Sequence, residues 1–261
     1  MSNSTFSTAV TGLAVIVALA LATWAVSVLK RDVSIVDSLW SIFIASAGLS
    51  YPLSSSGFHA RAMLMLSLTL LWAIRLCAYL TLRNHGQPED RRYQQIRARN
   101  QPHFALKSLY LVFGLQALLA WLVSMPLLAA ARGATPLNLT DLAGAALTLF
   151  GIVFESAADQ QMARFKRNAA NAGRVMDNGL WRYTRHPNYF GECCVWWGLF
   201  LIALAAGNVW SVISPLLMTV LLLKVSGVTL LEADIGERRP AYRDYIARTN
   251  AFVPGKPGRR A

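Results

Sequence analysis

The sequence predicts an all-α membrane protein in which seven transmembrane helices form a single domain over residues 1–261. Hydrophobic residues make up 55% of the chain and charged residues only 15%, whereas charged residues are about a quarter of an ordinary soluble domain. The apolar residues lie in blocks of about twenty, the length that crosses a bilayer as a helix. The predicted spans cover residues 9–29, 34–54, 62–82, 106–130, 139–160, 188–206 and 209–231.

The distribution of Lys and Arg predicts the topology. Nearly all of these residues fall in the loops after the first, third and fifth spans and in the C-terminal tail, while the opposite loops carry only Arg61 and Arg132. The positive-inside rule places the N-terminus outside and the C-terminus in the cytoplasm. The longer polar loops are then cytoplasmic, so we expect the active site on that side. Because topology explains the net charge of +12, no nucleic-acid partner is expected.

Two further functional classes are not expected. The three cysteines, Cys77, Cys193 and Cys194, lie in apolar segments. This placement favours structural packing, so the sequence predicts neither a disulfide framework nor a metal site.

The stretch GLWRYTRHPNYFGECCVWWG at 179–198 is the strongest candidate site, because a basic, aromatic loop runs directly into an apolar segment. Arg182 and Arg185 precede a predicted helix whose N-terminus attracts anions. Asn188 and Glu192 are four residues apart and share a face of that helix. An ionised Glu192 inside the apolar layer is unfavourable without a partner. The alternative is a basic membrane-surface loop with a structural Glu.

Other charged residues lie inside predicted spans, where such residues are usually functional. Asp37 occupies the second span, or marks its cytoplasmic end. Arg75, in the third span with Trp72 one turn deeper, is expected to pair with Asp37 or Glu155 or to extend to the interface. Glu155 and Asp159 share one face of the fifth span and are suited to ribose hydroxyls or to structural ion pairs.

Two cytoplasmic segments add candidates. Loop three is the segment between the third and fourth predicted spans. Its residues Arg91, Arg92 and Tyr93 predict a phosphate or adenine contact, or only a solvated face. In the tail, Tyr242 and Tyr245 share a helix face. They are expected either to close over a cofactor or to anchor the tail at the interface.

Together these residues resemble a known family. The segment RHPNYFGE followed by WWG, with VDSLW at 36–40, EDRRY at 89–93, ESAADQQ at 155–161 and the tail YRDYIARTNAFVP, is similar to the steroid 5α-reductase family. The similarity is greatest to its bacterial branch of uncharacterised integral membrane proteins. Isoprenylcysteine carboxyl methyltransferases carry a similar RHPxYxG segment and a YxxY tail.

The resemblance implies a seven-helix bundle in the bacterial inner membrane, with NADPH held by the C-terminal half, about 139–255. It implies hydride transfer to the C=C bond of an enone in a lipophilic substrate. Asp37 falls in the span that carries the catalytic Glu of the steroid enzymes. Trp72 stands where those enzymes have a Tyr three positions before an Arg, and Glu155 stands where they have Asn.

The sequence therefore predicts an NADPH-dependent membrane reductase. Its predicted catalytic residues are Asp37, Trp72 and Arg75, with a protonated Asp37 polarising the substrate carbonyl. The predicted cofactor-binding residues are Glu155, Asp159, Lys166, Arg182, Arg185, His186, Asn188, Tyr189, Glu192, Arg91, Arg92, Tyr242 and Tyr245. The alternatives are an S-adenosylmethionine-dependent methyltransferase acting on a lipid-linked thiol or membrane lipid, and a lipid-binding protein without catalytic activity.

Overall fold

The computed structural model describes residues 3–55, 57–132, 135–225, 227–232 and 235–258, and among these residues it contains helices and loops but no strand. The all-α prediction is confirmed for this part of the chain. The helices, in chain order, are α1 (Asn3–Lys30), α2 (Ile35–Leu53), α3 (Ala60–Asn84), α4 (Arg91–Arg99), α5 (Phe104–Ala130), α6 (Leu139–Arg167), α7 (Pro187–Ala205), α8 (Val209–Val225), α9 (Val228–Glu232), α10 (Ile235–Arg238) and α11 (Ala241–Arg248).

Five described helices, α1, α3, α5, α6 and α7, are long and apolar enough to cross a membrane. They correspond to five of the predicted spans. The other two predicted spans are also helical. Asp37 and several serines interrupt the apolar sequence of α2, and the described part of α8 is shorter than the five candidate spans. The structure therefore supports an integral membrane protein with five candidate spans.

The chain divides into two compact units. The first comprises Met1–Asp141 and Ile202–Ser214, and the second comprises Leu142–Leu201 and Pro215–Ala261. The second unit lies almost wholly within the C-terminal half for which the sequence predicts cofactor binding.

In the first unit, α2 packs between α1 and α3. Close approach of α1 and α2 depends on Gly12, since a Cβ there would lie 2.2 Å from the ring of Tyr51. Tyr51 is fully buried, and its hydroxyl lies 2.7 Å from Ser124 Oγ on α5. Trp72 on α3 is also fully buried in this core.

A buried ion pair joins the start of α3 to the start of α6 in the same unit. Arg61 Nε and Nη2 donate to the two carboxylate oxygens of Asp141, at 2.7 and 2.8 Å. The remaining guanidinium nitrogen, Nη1, donates to the carbonyl and hydroxyl oxygens of Thr135, and Nη2 also donates to the Pro136 carbonyl. Both charged side chains are almost inaccessible to solvent.

In the second unit, α6 and α7 pack with their backbones in contact. A Cβ at Gly191 would lie 2.7 Å from the backbone nitrogen of Glu155 and 2.8 Å from the carbonyl oxygen of Gly151. Further along, a Cβ at Gly198 would lie 2.4 Å from Thr148 Oγ1. Glycine at these positions brings the acidic residues of α6 beside the first turns of α7.

Candidate functional site

In the first unit, loop three closes onto the N-terminus of α2 at Asp37. Arg92 Nη2 donates to Asp37 Oδ2 at 2.8 Å, and the Tyr93 hydroxyl donates to Asp37 Oδ1 at 2.6 Å. Tyr93 is only 6% exposed. The VDSLW and EDRRY segments, distant in sequence, therefore meet at one carboxylate.

A second set of contacts fixes α4 in this position. Asp90 caps α4 by accepting from the backbone N–H of Arg92 at 2.9 Å, and its own N–H donates to Ser34 Oγ at 2.8 Å. Glu89 accepts from the backbone N–H of Val33 at 2.9 Å and from Arg97 at 2.7 Å. Side-chain caps of this kind stabilise a short helix that would be marginal alone.

Both oxygens of Asp37 accept hydrogen bonds, and one of the donors is the Arg92 guanidinium. The partner of Asp37 is Arg92, not Arg75. Of the other predicted catalytic residues, Trp72 is fully buried and Arg75 is half-buried on α3.

Tyr93 has the properties of a fixed hydrogen-bond donor. Its burial, followed by the charge and the hydrogen bond of Asp37, raises its pKa well above the usual value for a phenol. The phenol therefore keeps its proton across the physiological range.

In the second unit, three acidic side chains are buried where α6 and α7 meet. Glu155 and Asp159 on α6 are 2% and 5% exposed, and Glu192 on α7 is 8% exposed. Glu155 lies against Gly191, the neighbour of Glu192. The predicted shared face of Asn188 and Glu192 follows from the observed helix, which begins at Pro187.

The loop before α7 is attached to the same part of α6. Trp181 Nε1 donates to the Ala158 carbonyl at 3.1 Å, and the backbone N–H of Leu180 donates to Gln161 Oε1 at 2.9 Å. The turn of α6 that carries Glu155 and Asp159 therefore has Gly191 at one end and Trp181 at the other. Lys166, further along α6, is exposed.

Arg185 and His186 bind a carboxylate that was not among the predicted site residues. Arg185 Nε and Nη2 donate to the two carboxylate oxygens of Glu232 at 2.7 and 2.8 Å, and His186 Nε2 lies 2.8 Å from Glu232 Oε1. The His186 ring stacks on Tyr189 with an interplanar angle of 3° and a centroid separation of 5.4 Å.

The charge of Glu232 is well defined. Burial acts to raise its pKa, but the hydrogen bonds from His186 and Arg185 and the charge of Arg185 outweigh burial and lower the pKa to about 2. Glu232 is therefore ionised at neutral pH, and its oxygens act only as hydrogen-bond acceptors.

The C-terminal tail is fastened to the loop before α7. The Tyr245 hydroxyl donates to the Trp181 carbonyl, Thr184 Oγ1 donates to the Phe252 carbonyl at 2.8 Å, and the backbone N–H of Arg185 donates to the Asn250 carbonyl at 2.9 Å. Tyr245 is 1% exposed. Tyr245 thus fastens the tail to the loop before α7, and Tyr242 packs edge-on against it at 5.2 Å.

The four arginines expected at phosphates fall into two classes. Arg185 is buried and donates to Glu232 and to the carbonyls of Ile246 and Thr249, and Arg92 donates to Asp37 and Asp90. Arg91 and Arg182 are exposed. Sequence reasoning did not place Glu232 in the site, and it named Tyr93 only as part of a phosphate or adenine contact.

The comparisons with known proteins add a family but no activity. The DUF1295 family, described as "Protein of unknown function", matches residues 23–249. An uncharacterized protein of Schizosaccharomyces pombe is 28% identical over 267 residues, a match that covers 90% of this chain and 76% of that protein. No solved structure matches the chain significantly.

Proposed function

This chain belongs to the DUF1295 family of proteins of unknown function, and we propose that it is a membrane-embedded, NADPH-dependent reductase. Its substrate is an enone-type lipophilic molecule, steroid-like or another lipid. The family includes steroid 5α-reductase-like members, which agrees with the resemblance of the RHPNYFGE segment. The assignment to the bacterial branch of the steroid 5α-reductase family is part of the proposal.

The observation that carries the proposal is the group of three buried carboxylates, Glu155, Asp159 and Glu192, beside the RHPNYFGE segment. Carboxylate oxygens accept hydrogen bonds, and the hydroxyl and carboxamide groups of a dinucleotide are donors. The residue types present therefore fit NADPH, with Asp159 and Glu155 at ribose hydroxyls and Asn188 and Glu192 at the carboxamide.

The cofactor's phosphates need a cation. Arg185 is paired with Glu232, so within the second unit we assign the phosphates to the exposed Arg182. Arginine suits this role because its planar guanidinium binds phosphate oxygens in pairs.

In the proposed reaction, bound NADPH supplies the hydride for the β-carbon of the enone. Negative charge then builds on the substrate carbonyl oxygen, where a positioned hydrogen-bond donor lowers the barrier. We assign this donor to Tyr93, whose single O–H donates to Asp37 Oδ1 at 2.6 Å in the absence of substrate and turns to the substrate oxygen when substrate binds. Asp37 then keeps Arg92 as its partner. Trp72 has an N–H but is fully buried in the core of its unit.

The proposal includes seven transmembrane helices, with α2 and α8 as spans, an outside N-terminus and a cytoplasmic site in the bacterial inner membrane. Two contacts within the first unit support this topology. Loop one meets loop three through Val33 and Glu89, and the loops after α2 and α5 meet through Arg61 and Thr135. The loops after the first and third predicted spans contact each other, and so do the segments after the second and fourth predicted spans. Alternate crossing of a membrane places each of these pairs on one side.

The first experiment is a thermal-shift measurement on detergent-purified protein with NADPH, NADH and S-adenosylmethionine. A ligand that binds only the folded state at a hundredfold over its Kd adds about 2.7 kcal/mol of stability. We expect a shift with NADPH that is lost in Glu192→Gln. Glu237→Gln, which changes an exposed acid of the same unit, should keep the shift and serves as the control.

The second experiment measures NADPH oxidation with a 3-oxo-Δ4 steroid and with a long-chain enone lipid. We expect Tyr93→Phe to lower turnover by about a hundredfold, as loss of one oxyanion donor does elsewhere, while the NADPH shift remains. Tyr110→Phe, at a 61% exposed tyrosine, should change neither quantity.

Each alternative predicts a different result. A shift with S-adenosylmethionine alone would replace the reductase with a methyltransferase. NADPH binding without oxidation by either enone would favour a lipid-binding protein without catalytic activity. Normal turnover in Tyr93→Phe would remove Tyr93 from the mechanism.

A further inference from the structure

A single carboxylate holds two consecutive residues of the RHPNYFGE segment. Glu232 Oε1 accepts from Arg185 Nε at 2.7 Å and lies 2.8 Å from His186 Nε2, while Glu232 Oε2 accepts from Arg185 Nη2 at 2.8 Å. Glu232 is distant in sequence, on α9, so it orients this segment from outside it.

The contact with Glu232 determines which nitrogen of His186 carries the proton. An ionised carboxylate only accepts hydrogen bonds, so Nε2 must carry a hydrogen. In the neutral imidazole, Nδ1 is then an acceptor. Within the described residues Nδ1 makes no hydrogen bond, although the side chain is only 6% exposed. Stacking on Tyr189 holds the plane of the ring.

We infer that Glu232 is a positioning residue of the cofactor site, which holds His186 with Nδ1 as an acceptor for a hydroxyl or amide N–H of the bound ligand. In the proposed reductase, which this inference presupposes, these donors are a ribose hydroxyl or the carboxamide of NADPH. A buried ring with one anchored nitrogen and one open acceptor favours such a donor over a phosphate, which offers acceptors. His186 therefore contributes hydrogen-bond specificity rather than charge.

A purely structural role for Glu232 predicts different behaviour. Under that reading Glu232 only fastens the tail, and another ion pair of the tail should behave in the same way. The chain offers this control, because Arg248 on α11 donates to Asp177 in the loop before α7 at 2.5 Å without contact to His186. Asp177→Asn breaks a tail ion pair and leaves the Glu232 contacts in place.

The direct test is nitrogen NMR of detergent-purified protein labelled with ¹⁵N-histidine. The chain contains only four histidines, and His186→Gln identifies the signal. We expect the Nε2–H tautomer in the wild type and in Asp177→Asn. In Glu232→Gln we expect a mixture of tautomers, because an amide can donate as well as accept.

The functional test measures the Kd for NADPH by titration of the same variants. Loss of one hydrogen bond to the ligand predicts about a tenfold weaker Kd in Glu232→Gln and in His186→Gln. The double variant should be no weaker than either single variant, because both remove the same contact. Asp177→Asn should bind NADPH as the wild type does.

Several results would overturn the inference. These are an Nδ1–H tautomer in the wild type, an unchanged tautomer in Glu232→Gln, or equal losses of NADPH affinity in Glu232→Gln and Asp177→Asn. Failure of the wild type to bind NADPH would instead refute the proposed function. The NMR measurement would then still decide whether Glu232 positions the ring.

Discussion

The buried ion pair between Arg61 and Asp141 allows a stability prediction with a defined magnitude. Arg61→Met removes the guanidinium but keeps a long apolar side chain. It leaves Asp141, whose side chain is only 2% exposed, with a backbone N–H of Asn138 as its remaining donor at 2.9 Å. Removing one partner of a buried pair costs about 3–5 kcal/mol, because the other charge stays buried. The carbonyls of Thr135 and Pro136 lose donors as well, so we expect the upper half of that range.

The assay is reversible unfolding in mixed detergent micelles, followed by helical circular dichroism. Arg132→Met is the matched control, since among the described residues Arg132 makes one side-chain hydrogen bond, to Ser4 Oγ at 2.6 Å. This substitution should cost less than about 1 kcal/mol. The double variant Arg61→Met with Asp141→Leu should recover most of the lost stability. Paired removal replaces two buried charges with apolar groups of similar volume.

Two results would refute this reasoning. A loss below about 1 kcal/mol in Arg61→Met would mean that solvent or lipid headgroups reach Asp141. A double variant no more stable than the single variant would mean that the stability comes from packing of the side chains and not from the pairing of their charges.

Three further predictions concern the second unit. A carboxylate with a pKa lowered from 4.5 to about 2 contributes about 3 kcal/mol of stability above pH 4.5, which is lost as the pH falls toward 2. Lowering the pH from 7 to 3 should therefore destabilise the wild type by about 2 kcal/mol more than Glu232→Gln, and equal slopes of thermal midpoint against pH would contradict this. Gly191→Ala should lower the thermal midpoint and abolish the NADPH shift, because its Cβ would clash with the backbone of Glu155. Moving either packed helix to relieve this clash is unfavourable. Arg182→Gln should reduce the thermal shift caused by NADPH without changing the midpoint of the unliganded protein, whereas Arg185→Gln should lower that midpoint itself. The reverse result would assign the phosphate contact to Arg185 and the structural role to Arg182.

Much of the fold could be predicted because membrane-spanning helices have a strong local signal. A block of about twenty apolar residues is visible in the sequence whatever it packs against, and five such blocks became long apolar helices. The two predicted spans outside these five are α2, which Asp37 and several serines interrupt, and α8, whose described residues end at Val225.

The candidate site was predictable only where its geometry is local. Asn188 and Glu192 are one helical turn apart, so their shared face follows from the helix alone. The partners of Asp37 and Arg185 lie 55 and 47 positions away, and no local pattern identifies them. Topology offered a partial signal for Asp37, since the predicted cytoplasmic end of span two and loop three lie on the same side of the membrane.

The two clusters share an arrangement that explains why the arginines were assigned to ligands. In each, a carboxylate at the end of an apolar helix binds an arginine and the aromatic or imidazole ring that follows it: Asp37 holds Arg92 and Tyr93, and Glu232 holds Arg185 and His186. The arginine is neutralised by the carboxylate, so it orients its neighbour and is no longer available to a phosphate.

Each pair therefore holds a ring with defined hydrogen-bonding properties. The Tyr93 phenol has one O–H, which donates to Asp37 in the absence of a ligand, and the His186 imidazole offers Nδ1 as an acceptor. In an apolar protein an arginine inside a motif needs a carboxylate before it can be buried. The exposed Arg182 is accordingly a better candidate for charge recognition than the buried Arg185. Substitutions at Tyr93 and His186 should change chemistry and specificity, while substitutions at Arg92 and Arg185 should first change stability.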